Sequence, residues 1–206
     1  LGFEQKKRRK EELHRFEAYG EYLIKCANDI KEKYEKNAES LRMMYLSAEE
    51  CTRFDEDNNM LWNRNMDHKD FLCHRLGIGD VPFQVTITIP RDRFTLINDS
   101  LAEKPKMIRQ SYKTLHDVPI CIDLLKHRLV GVIGGEKKQG AVEVMHALAA
   151  QIAAANCYTD VKMAFIYEGG KDESESWEYM KWFPHVWSED RKTRYIARNK
   201  SETGDI

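Results

Sequence analysis

The chain has 206 residues and a net charge of −1, with 42% hydrophobic and 33% charged residues. This length suffices for one domain with an appendage or for two small domains, and the near-neutral charge argues against a nucleic-acid partner. Five widely spaced cysteines, an odd number, give no disulfide framework and indicate reduced thiols in the cytosol. No apolar run approaches the roughly 20 residues of a membrane span.

The first predicted element is one long helix. Apolar or small residues recur at alternating steps of three and four from Leu13 to Met44, with a polar interruption at Asn37, and this spacing is a heptad seam. We expect the helix either to stand off as a stalk or to lie on its own domain through a narrow apolar stripe. The basic cluster at residues 6–10 is typical of the cytosolic flank of a membrane helix, and the alternative is an ordinary solvated charge run.

A second helix is predicted to begin near Ser47. Ser47 and Glu50 have the spacing of a capping box, and the polar residues 55–59 predict a loop after it. The chain is thus predicted to consist of a juxtamembrane helical stalk, a helical connector and a folded module, at residues 1–46, 47–70 and 71–206.

From residue 71 the hydrophobic period changes to two, which is the period of strands. The alternation predicts two strands, at residues 71–78 and 83–89, joined by the Gly/Pro-containing residues 79–82. A helix over residues 101–112 and a strand beginning at Ile120 are predicted to follow.

The last third of the chain has the element order of a βαβ unit. The prediction is a strand, a glycine loop, an alanine-rich helix, a strand, a short helix and a strand, at residues 129–133, 134–140, 141–155, 161–167, 177–182 and 195–197. This order predicts an α/β fold for the module, with a mostly parallel sheet flanked by helices.

The glycine loop is similar to a P-loop that has lost its reactive side chains. A working P-loop reads G-x-x-x-x-G-K-[ST] between a strand and a helix. Its backbone amides wrap the phosphates, its lysine neutralises their charge and its hydroxyl holds Mg²⁺. Gly135 and Gly140 keep the spacing, but Ala141 and Val142 occupy the lysine and hydroxyl positions. Loss of the lysine alone is expected to weaken phosphate binding roughly ten- to a hundredfold, and hydrolysis is not expected.

Two alternatives stay open for this loop. Lys137 or Lys138 could replace the missing lysine, although side chains inside such a loop usually point outward. Gly135 and Gly140 could also merely shape a turn with no link to nucleotides, because a glycine pair is weak evidence. The predicted nucleotide site, with weak or absent binding, therefore consists of Gly135, Lys138, Gly140, Ala141 and Val142.

A metal site is not expected in this chain. His68, Cys73 and His74 are close in sequence, but Cys73 and His74 are neighbours on a predicted strand and so point to opposite faces. His185 stands apart from these residues and is expected to pack and to form hydrogen bonds.

Aromatic residues cluster near the end of the chain. We expect them to pack in the core or against another module, and a groove for a partner is the alternative. The cluster consists of Trp177, Tyr179, Trp182, Phe183 and Trp187.

Several strings of residues closely resemble the membrane-bound ATPases of type VII (ESX) secretion, the EssC/EccC family. The first are LW at residues 61–62, DFL at 70–72 and RLGIGDVP at 75–82. Further strings resemble the approach to the first motor module of this family and its FtsK/SpoIIIE pattern, at residues 117–119, 122–124, 130–134, 165–170 and 182–186. The resemblance covers most of the chain from Leu61 onward, and the helical start agrees in character rather than in letters.

The resemblance implies a membrane-embedded motor that exports small helical proteins, often of WXG type. It places this segment at the cytoplasmic face of the membrane, and it places intact ATPase modules, with their ATP and Mg²⁺, beyond Ile206. No cofactor is expected in the segment itself. The implied partners are other subunits and membrane components of the machine, the downstream ATPase modules and, through the parent protein, the exported proteins. Glu168 matches the acidic position of the strand-turn pattern and is not expected to be a catalytic base.

The resulting hypothesis is a non-hydrolysing structural and regulatory module that couples the membrane channel to the downstream ATPase modules. The segment itself is then not catalytic, whereas its parent is an ATPase. One alternative is an active ATPase module that uses Lys137 or Lys138 in an atypical P-loop. The other is a fragment of a DNA translocase, which the near-neutral charge and the missing basic stripe disfavour.

Overall fold

A computed structural model describes residues 2–89, 100–136, 139–167 and 175–205. The helices in chain order are α1 Gly2–Met44, α2 Ala48–Cys51, α3 Ser100–Ser111 and α4 Gln139–Ala155. The strands are β1 Cys73–Pro82, β2 Thr114–Asp123, β3 Phe165–Ile166 and β4 Ile196–Ala197. Short 3-10 helices span Glu178–Trp182, Pro184–Val186 and Glu202–Asp205. The chain therefore has the mixed helix-and-strand composition that the sequence predicts.

The chain forms two compact units, and each is made of two stretches. The first unit is Leu1–Met44 with Ile78–Ile120, and the second is Tyr45–Gly77 with Cys121–Ile206. The chain passes from one unit to the other after residues 44, 77 and 120. The boundaries predicted from the sequence, after residues 46 and 70, follow the order of the motifs and stay a prediction.

The core of the first unit forms around the second half of α1. Buried Ala38 on α1 packs with Phe83, Leu115 and Val118, and partly buried apolar residues complete the cluster. The Tyr34 hydroxyl donates to the carbonyl of Thr114 at 3.1 Å and accepts from the amide of His116 at 3.2 Å. By contrast, residues 2–18 of α1 are exposed throughout.

The two described sheets have two strands each. The first pairs β1 with β2. The Leu124 amide donates to the Leu72 carbonyl and the Phe83 amide to the Lys113 carbonyl, both at 3.0 Å. Because the partner number falls as the β1 number rises, these strands run antiparallel. The second sheet pairs β3 with β4 in parallel, with Phe165 opposite Ile196.

The predicted break at residues 79–82 is wrong, and so is the predicted strand at 83–89. β1 runs without interruption to Pro82, and residues 83–89 form no strand. The reason lies in the long-range pairing with β2. A Cβ atom at Gly79 would collide with the side chain of Ile120, so the glycine permits close approach within the sheet and does not mark a turn.

The strand predicted at residues 129–133 is also wrong. These residues have no regular structure, and the side chains of Leu129 and Ile133 are each 96% exposed. A strand needs a neighbour for its backbone groups, and in the part of the chain that is described no strand pairs with this run. The mostly parallel sheet predicted from it is accordingly not seen in the described ranges.

Other local predictions agree with the structure. The capping box is present, because the Ser47 hydroxyl accepts from the Glu50 amide and the Glu50 carboxylate accepts from the Ser47 amide. The helices predicted at residues 101–112 and 141–155 are confirmed as α3 and α4. The strand predicted at 161–167 is shortened to β3. In the described residues, no helix is both long and apolar enough to cross a membrane.

The second unit is built around α4. Its buried residues Leu148, Ala149 and Ala154 belong to the interior, and the neighbouring Ile152 and Ala153 pack against the cluster of Phe71, Val161, Met163 and Val186. The side chain of Gln151 accepts from the amide of Arg75 and donates to its carbonyl, both at 2.9 Å. This double hydrogen bond holds the middle of α4 against the start of β1.

Candidate functional site

The glycine loop leads into α4 without a strand before it. Gly135 has a φ of +68°, in the left-handed region where glycine is favoured. A Cβ atom at Gly135 or at Gly140 would meet nothing within 4 Å. The backbone conformation therefore explains Gly135, whereas Gly140 lies inside α4 and its surroundings in the described residues do not require a glycine.

The first turn of α4 carries methyl groups where a working P-loop carries its cation and hydroxyl. α4 begins at Gln139, and both Ala141 and Val142 are half-buried. The Gln139 side-chain amide donates to the Glu143 carboxylate at 2.9 Å, which places a negative charge close to the start of the helix. A helix N-terminus attracts anions, but these side chains give a triphosphate neither a countercharge nor a metal ligand.

Part of the predicted site lies outside the described residues. Lys138 is one such residue, and its neighbour Lys137 is another. The acidic-Gly-Gly turn at residues 168–170, which includes Glu168, also falls outside them. The structure therefore places Gly140, Ala141 and Val142 in the first turn of α4 and Gly135 in the loop before it, and it does not test the two lysines.

The opposite end of α4 carries a buried polar cluster that sequence reasoning missed. The amides of Trp62 and Arg64 donate to the carbonyls of Ala154 and Ala155 at 2.8 and 3.0 Å. These bonds satisfy carbonyls that every helix C-terminus leaves unpaired. Arg64 is only 8% exposed, its guanidinium donates to the Cys73 carbonyl at 2.7 Å, and it pairs with the Asp70 carboxylate at 3.1 Å.

Two histidines complete this cluster. His185, which the sequence predicts to pack and hydrogen-bond, is fully buried, and its Nε2 lies 2.7 Å from the carbonyl oxygen of Asn156. His74 is 2% exposed. Burial, assisted by the nearby Arg64 charge, lowers the pKa of His74 to about 4, and burial also lowers the pKa of His185. Both rings are therefore neutral at physiological pH.

The three residues once grouped as possible metal ligands have different surroundings. The Nδ1 of His68 lies 3.5 Å from the Asn65 amide, the His74 side chain is buried, and Cys73 is half-buried. Among the described residues, no three His, Cys, Asp or Glu side chains are placed to hold a metal ion.

The aromatic cluster divides into a packed part and an exposed part. Trp177 lies against His146, with ring centroids 4.2 Å apart, and Tyr179 contacts both His146 and Phe183. Trp182, in contrast, is 77% exposed. Core packing is thus confirmed for Phe183 and Trp187, which pack against the cluster around Phe71. No signal in the sequence separates them from the exposed Trp182.

Trp182 and Trp187 line a cavity of about 730 Å³. Tyr158 forms a further aromatic wall, and Lys162 and Arg191 contribute positive charge. The Lys162 ammonium lies 5.6 Å from the centre of the Tyr158 ring, and the Arg194 guanidinium lies 4.2 Å from that of Trp187. Such cation–π pairs hold the aromatic faces in place.

Comparison with known proteins gives relatives over most of the chain. No family model matches it. It is 30% identical to the ESX secretion system protein YukB of Bacillus subtilis over 179 residues, which are 86% of this chain and 12% of that protein. It is 30% identical to the ESX secretion system protein EccC of Geobacillus thermodenitrificans over 185 residues, 88% of this chain and 12% of the relative. The chain belongs to the EssC/EccC family.

The family relationship includes the helical start. Against the type VII secretion system protein EssC of Staphylococcus aureus (strain MSSA476), the identity is 23% over 204 residues, 98% of this chain and 14% of that protein. The match to EssC therefore includes α1, where the quoted sequence strings gave no letter-by-letter agreement. The chain spans about one-eighth of the length of these EssC/EccC relatives.

The residues at the start of α4 do not fit a magnesium nucleotide. In this EssC/EccC segment, the two side chains that would contact phosphate and metal end in methyl groups, at Ala141 and Val142. Glu143, the nearest carboxylate in the described part of α4, accepts a hydrogen bond from Gln139. No chemical step through ATP can be derived from these residues.

Proposed function

We propose that this segment is a non-hydrolysing structural and regulatory module of a membrane-anchored type VII secretion motor. It lies at the cytoplasmic face and couples the membrane channel to ATPase modules elsewhere in the same protein. The observation that carries the proposal is the first turn of α4, where Ala141 and Val142 replace the cation and the hydroxyl that nucleotide chemistry requires. The ATPase activity of the parent then resides in other modules.

We further propose that residues 71–206 form a degenerate FtsK/SpoIIIE-like P-loop module. The order of glycine loop, α4, β3 and β4, together with the parallel pairing of β3 and β4, supports it. The exposed run at residues 129–133 would then correspond to the strand before the loop in an intact module.

The exposed first part of α1 supports a role as a stalk. Residues 2–18 are exposed, including the basic cluster at residues 6–10 and the apolar side chains of Phe3, Leu13 and Phe16. Basic residues are enriched at the cytosolic flank of membrane helices. α1 would thus extend from the first unit towards membrane components of the secretion machine.

The cavity lined by Trp182 and Trp187 favours a role in binding protein partners over a catalytic role. Trp and Arg are enriched where protein interfaces have their strongest contacts. Other subunits of the machine, or the downstream ATPase modules, would bind there. In the full-length protein, Trp182→Ala should reduce export of WXG-type proteins without lowering ATP hydrolysis, whereas Ile166→Ser, at another exposed apolar side chain, should leave export unchanged.

Isothermal titration calorimetry with Mg-ATP tests the central proposal on the 206-residue chain. We expect no heat of binding at micromolar to millimolar nucleotide, and we expect no change in the Lys138→Ala variant. Micromolar binding that disappears in Lys138→Ala would instead establish the atypical ATPase module.

A second titration, with duplex DNA, tests the remaining alternative of a DNA-translocase fragment. Duplex DNA should not bind at physiological salt. Binding whose affinity falls steeply with rising salt would establish the DNA-translocase alternative, because that dependence reports phosphate contacts.

A further inference from the structure

The cavity lined by Trp182 and Trp187 has a wall that hydrogen bonds hold in place. This wall is a hairpin in which Trp187 and Arg194 form an antiparallel bridge. The Ser188 amide donates to the Thr193 carbonyl at 2.9 Å, and the Thr193 amide donates to the Ser188 hydroxyl at 3.0 Å. Because the hairpin is already ordered, a ligand of the cavity does not have to order it on binding.

The aromatic rings of the cavity differ in what covers them. Trp187 packs against the buried cluster around Phe71, and the centre of the Tyr158 ring lies 5.2 Å from that of Trp62, in edge-on contact. Trp182, in contrast, is 77% exposed. Covering this indole would remove apolar surface from water, so the cavity favours a ligand that carries a large apolar group.

The cavity also has an excess of positive charge. Among the described residues that line it, Lys162 and Arg191 are the cations and Glu189 is the carboxylate. The neighbouring Lys192 pairs with Asp190 at 3.6 Å, whereas no carboxylate in the described part of the chain lies within ion-pair distance of Lys162 or Arg191. Two cations are therefore able to pair with carboxylates of a ligand.

Both cations are held beside the aromatic rings. The Lys162 ammonium lies 5.6 Å from the centre of the Tyr158 ring. Arg191 has a φ of +55°, which is uncommon for a residue other than glycine, and its amide donates to the Ser188 carbonyl at 3.0 Å. The tight turn of the hairpin thus fixes the backbone of Arg191 next to the aromatic wall.

We propose that this cavity is a docking site for an acidic segment of a partner protein, in which a large apolar side chain covers Trp182 and neighbouring carboxylates pair with Lys162 and Arg191. Protein partners bind at this cavity under the proposed function, on which this proposal rests, and the rings and cations define the chemistry of the segment that they present. The apolar contact supplies affinity, and the charges select acidic over basic segments.

A single-stranded nucleic acid is the other polymer that stacks on aromatic rings beside cations. It is disfavoured here because Glu189 lines the cavity and because the whole chain has a net charge of −1. A continuous phosphate backbone carries more negative charge than Lys162 and Arg191 can neutralise. A protein segment with a few carboxylates matches the two cations better.

Fluorescence polarisation of labelled peptides with the 206-residue chain tests the proposal. The probe is a short peptide with the sequence Glu-Asp-Leu-Phe-Asp-Glu. It is compared with a basic peptide that carries Lys at every acidic position and with a peptide that carries Ala in place of Leu and Phe. The probe should bind at least about tenfold more tightly than either, and its affinity should fall as the salt concentration rises. Equal affinities for the acidic and basic peptides would overturn the proposal, as would tighter binding of an oligothymidine of similar length.

Charge reversal at the two cations locates the site. Lys162→Glu and Arg191→Glu should each weaken binding of the acidic peptide about tenfold, because each replaces an attraction by a repulsion. Trp182→Ala should weaken it at least as much. Lys126→Glu is the matched control, since it makes the same charge change at an exposed lysine of the same unit, and it should leave the affinity unchanged. An equal loss in Lys126→Glu would show that only net charge matters and would contradict a docking site at the cavity.

A gain of binding separates the proposal from a folding defect. The double variant Lys162→Glu/Arg191→Glu should bind the basic peptide more tightly than the wild type does, by about tenfold, and a misfolded cavity would not produce this gain. If the acidic peptide failed to bind while Trp182→Ala still reduced export by the full-length protein, the chemistry of the segment would be wrong and the proposed function would stand. If the peptide bound as expected and Trp182→Ala left export unchanged, the docking site would stand and its role in export would be wrong.

Discussion

The two ends of α4 differ in how much structure surrounds them. At its start, Ile133 in the preceding loop is 96% exposed, and a side chain at Gly135 or Gly140 would meet open space. At its end, Trp62 and Arg64 cap the last carbonyls, and His185 is fully buried. A working P-loop must hold the start of its helix around a ligand. Among the described residues, the packing and hydrogen bonds are concentrated at the other end of α4.

Removing the carboxylate of Asp70 should lower the stability of the protein, because Asp70 belongs to the buried polar cluster at the C-terminal end of α4. Asp70→Ala removes the carboxylate that pairs with the buried Arg64 guanidinium. We expect the free energy of unfolding to fall by about 3–5 kcal/mol, because breaking a buried ion pair by removing one partner is strongly destabilising. Urea denaturation followed by circular dichroism measures this loss.

The matched control lies at the other end of the same helix. Glu143→Ala removes an exposed carboxylate near the start of α4, and surface changes of this kind stay within about 0.5 kcal/mol. Equal losses in the two variants would contradict the contrast between the ends.

Lowering the pH should also destabilise the protein through the buried polar cluster at the C-terminal end of α4. The pKa of His74 is lowered from 6.5 to about 4 in the folded chain, so the unfolded chain binds the extra proton between these values. Stability is therefore complete above pH 6.5 and is lost as the pH falls towards 4, by ~3 kcal/mol from this residue. The lowered pKa of His185 acts in the same direction.

Denaturation midpoints measured between pH 7 and 4 test this dependence. Replacing His74 by Gln should flatten the slope, whereas His127→Gln, at an exposed histidine, should leave it unchanged. A slope that is as steep without His74 as with it would exclude the buried imidazole as its source.

The two glycines of the loop should respond in opposite directions. Gly135→Ala places a side chain on a backbone with φ +68° and should cost about 1–2 kcal/mol. Gly140→Ala, inside α4 with open space around it, should stabilise the protein by about 0.5–1 kcal/mol. Thermal unfolding of both variants gives the comparison. If both lost stability to the same extent, Gly140 would have a structural role that the described contacts do not show.

Local patterns in the sequence predicted the elements that depend on local interactions. The capping box identified α2, the alanine-rich composition of residues 141–155 identified α4, and the predictions of a helix at residues 101–112 and of a strand at 195–197 agree with α3 and β4. Strand pairing was harder to predict. Gly79 looks like a turn residue until Ile120 is seen beside it, and the apolar run at residues 129–133 is typical of a strand although it has no described neighbour.

The candidate site also has a part that the sequence predicts and a part that it does not. The sequence alone shows Ala141 and Val142 at the lysine and hydroxyl positions of a P-loop, because the motif defines which side chain each position needs. The cluster around Arg64 and His185 joins residues that are far apart in the chain. No local spacing could identify it, because long-range packing and helix capping create it.

A crystal structure of this chain grown or soaked with millimolar Mg²⁺ and a non-hydrolysable ATP analogue tests the central claim most directly. We predict no triphosphate density at the start of α4 in either the wild type or Lys138→Ala. An ordered triphosphate with its magnesium ion beside Gly135 and Gly140 would contradict the account of a module without nucleotide chemistry.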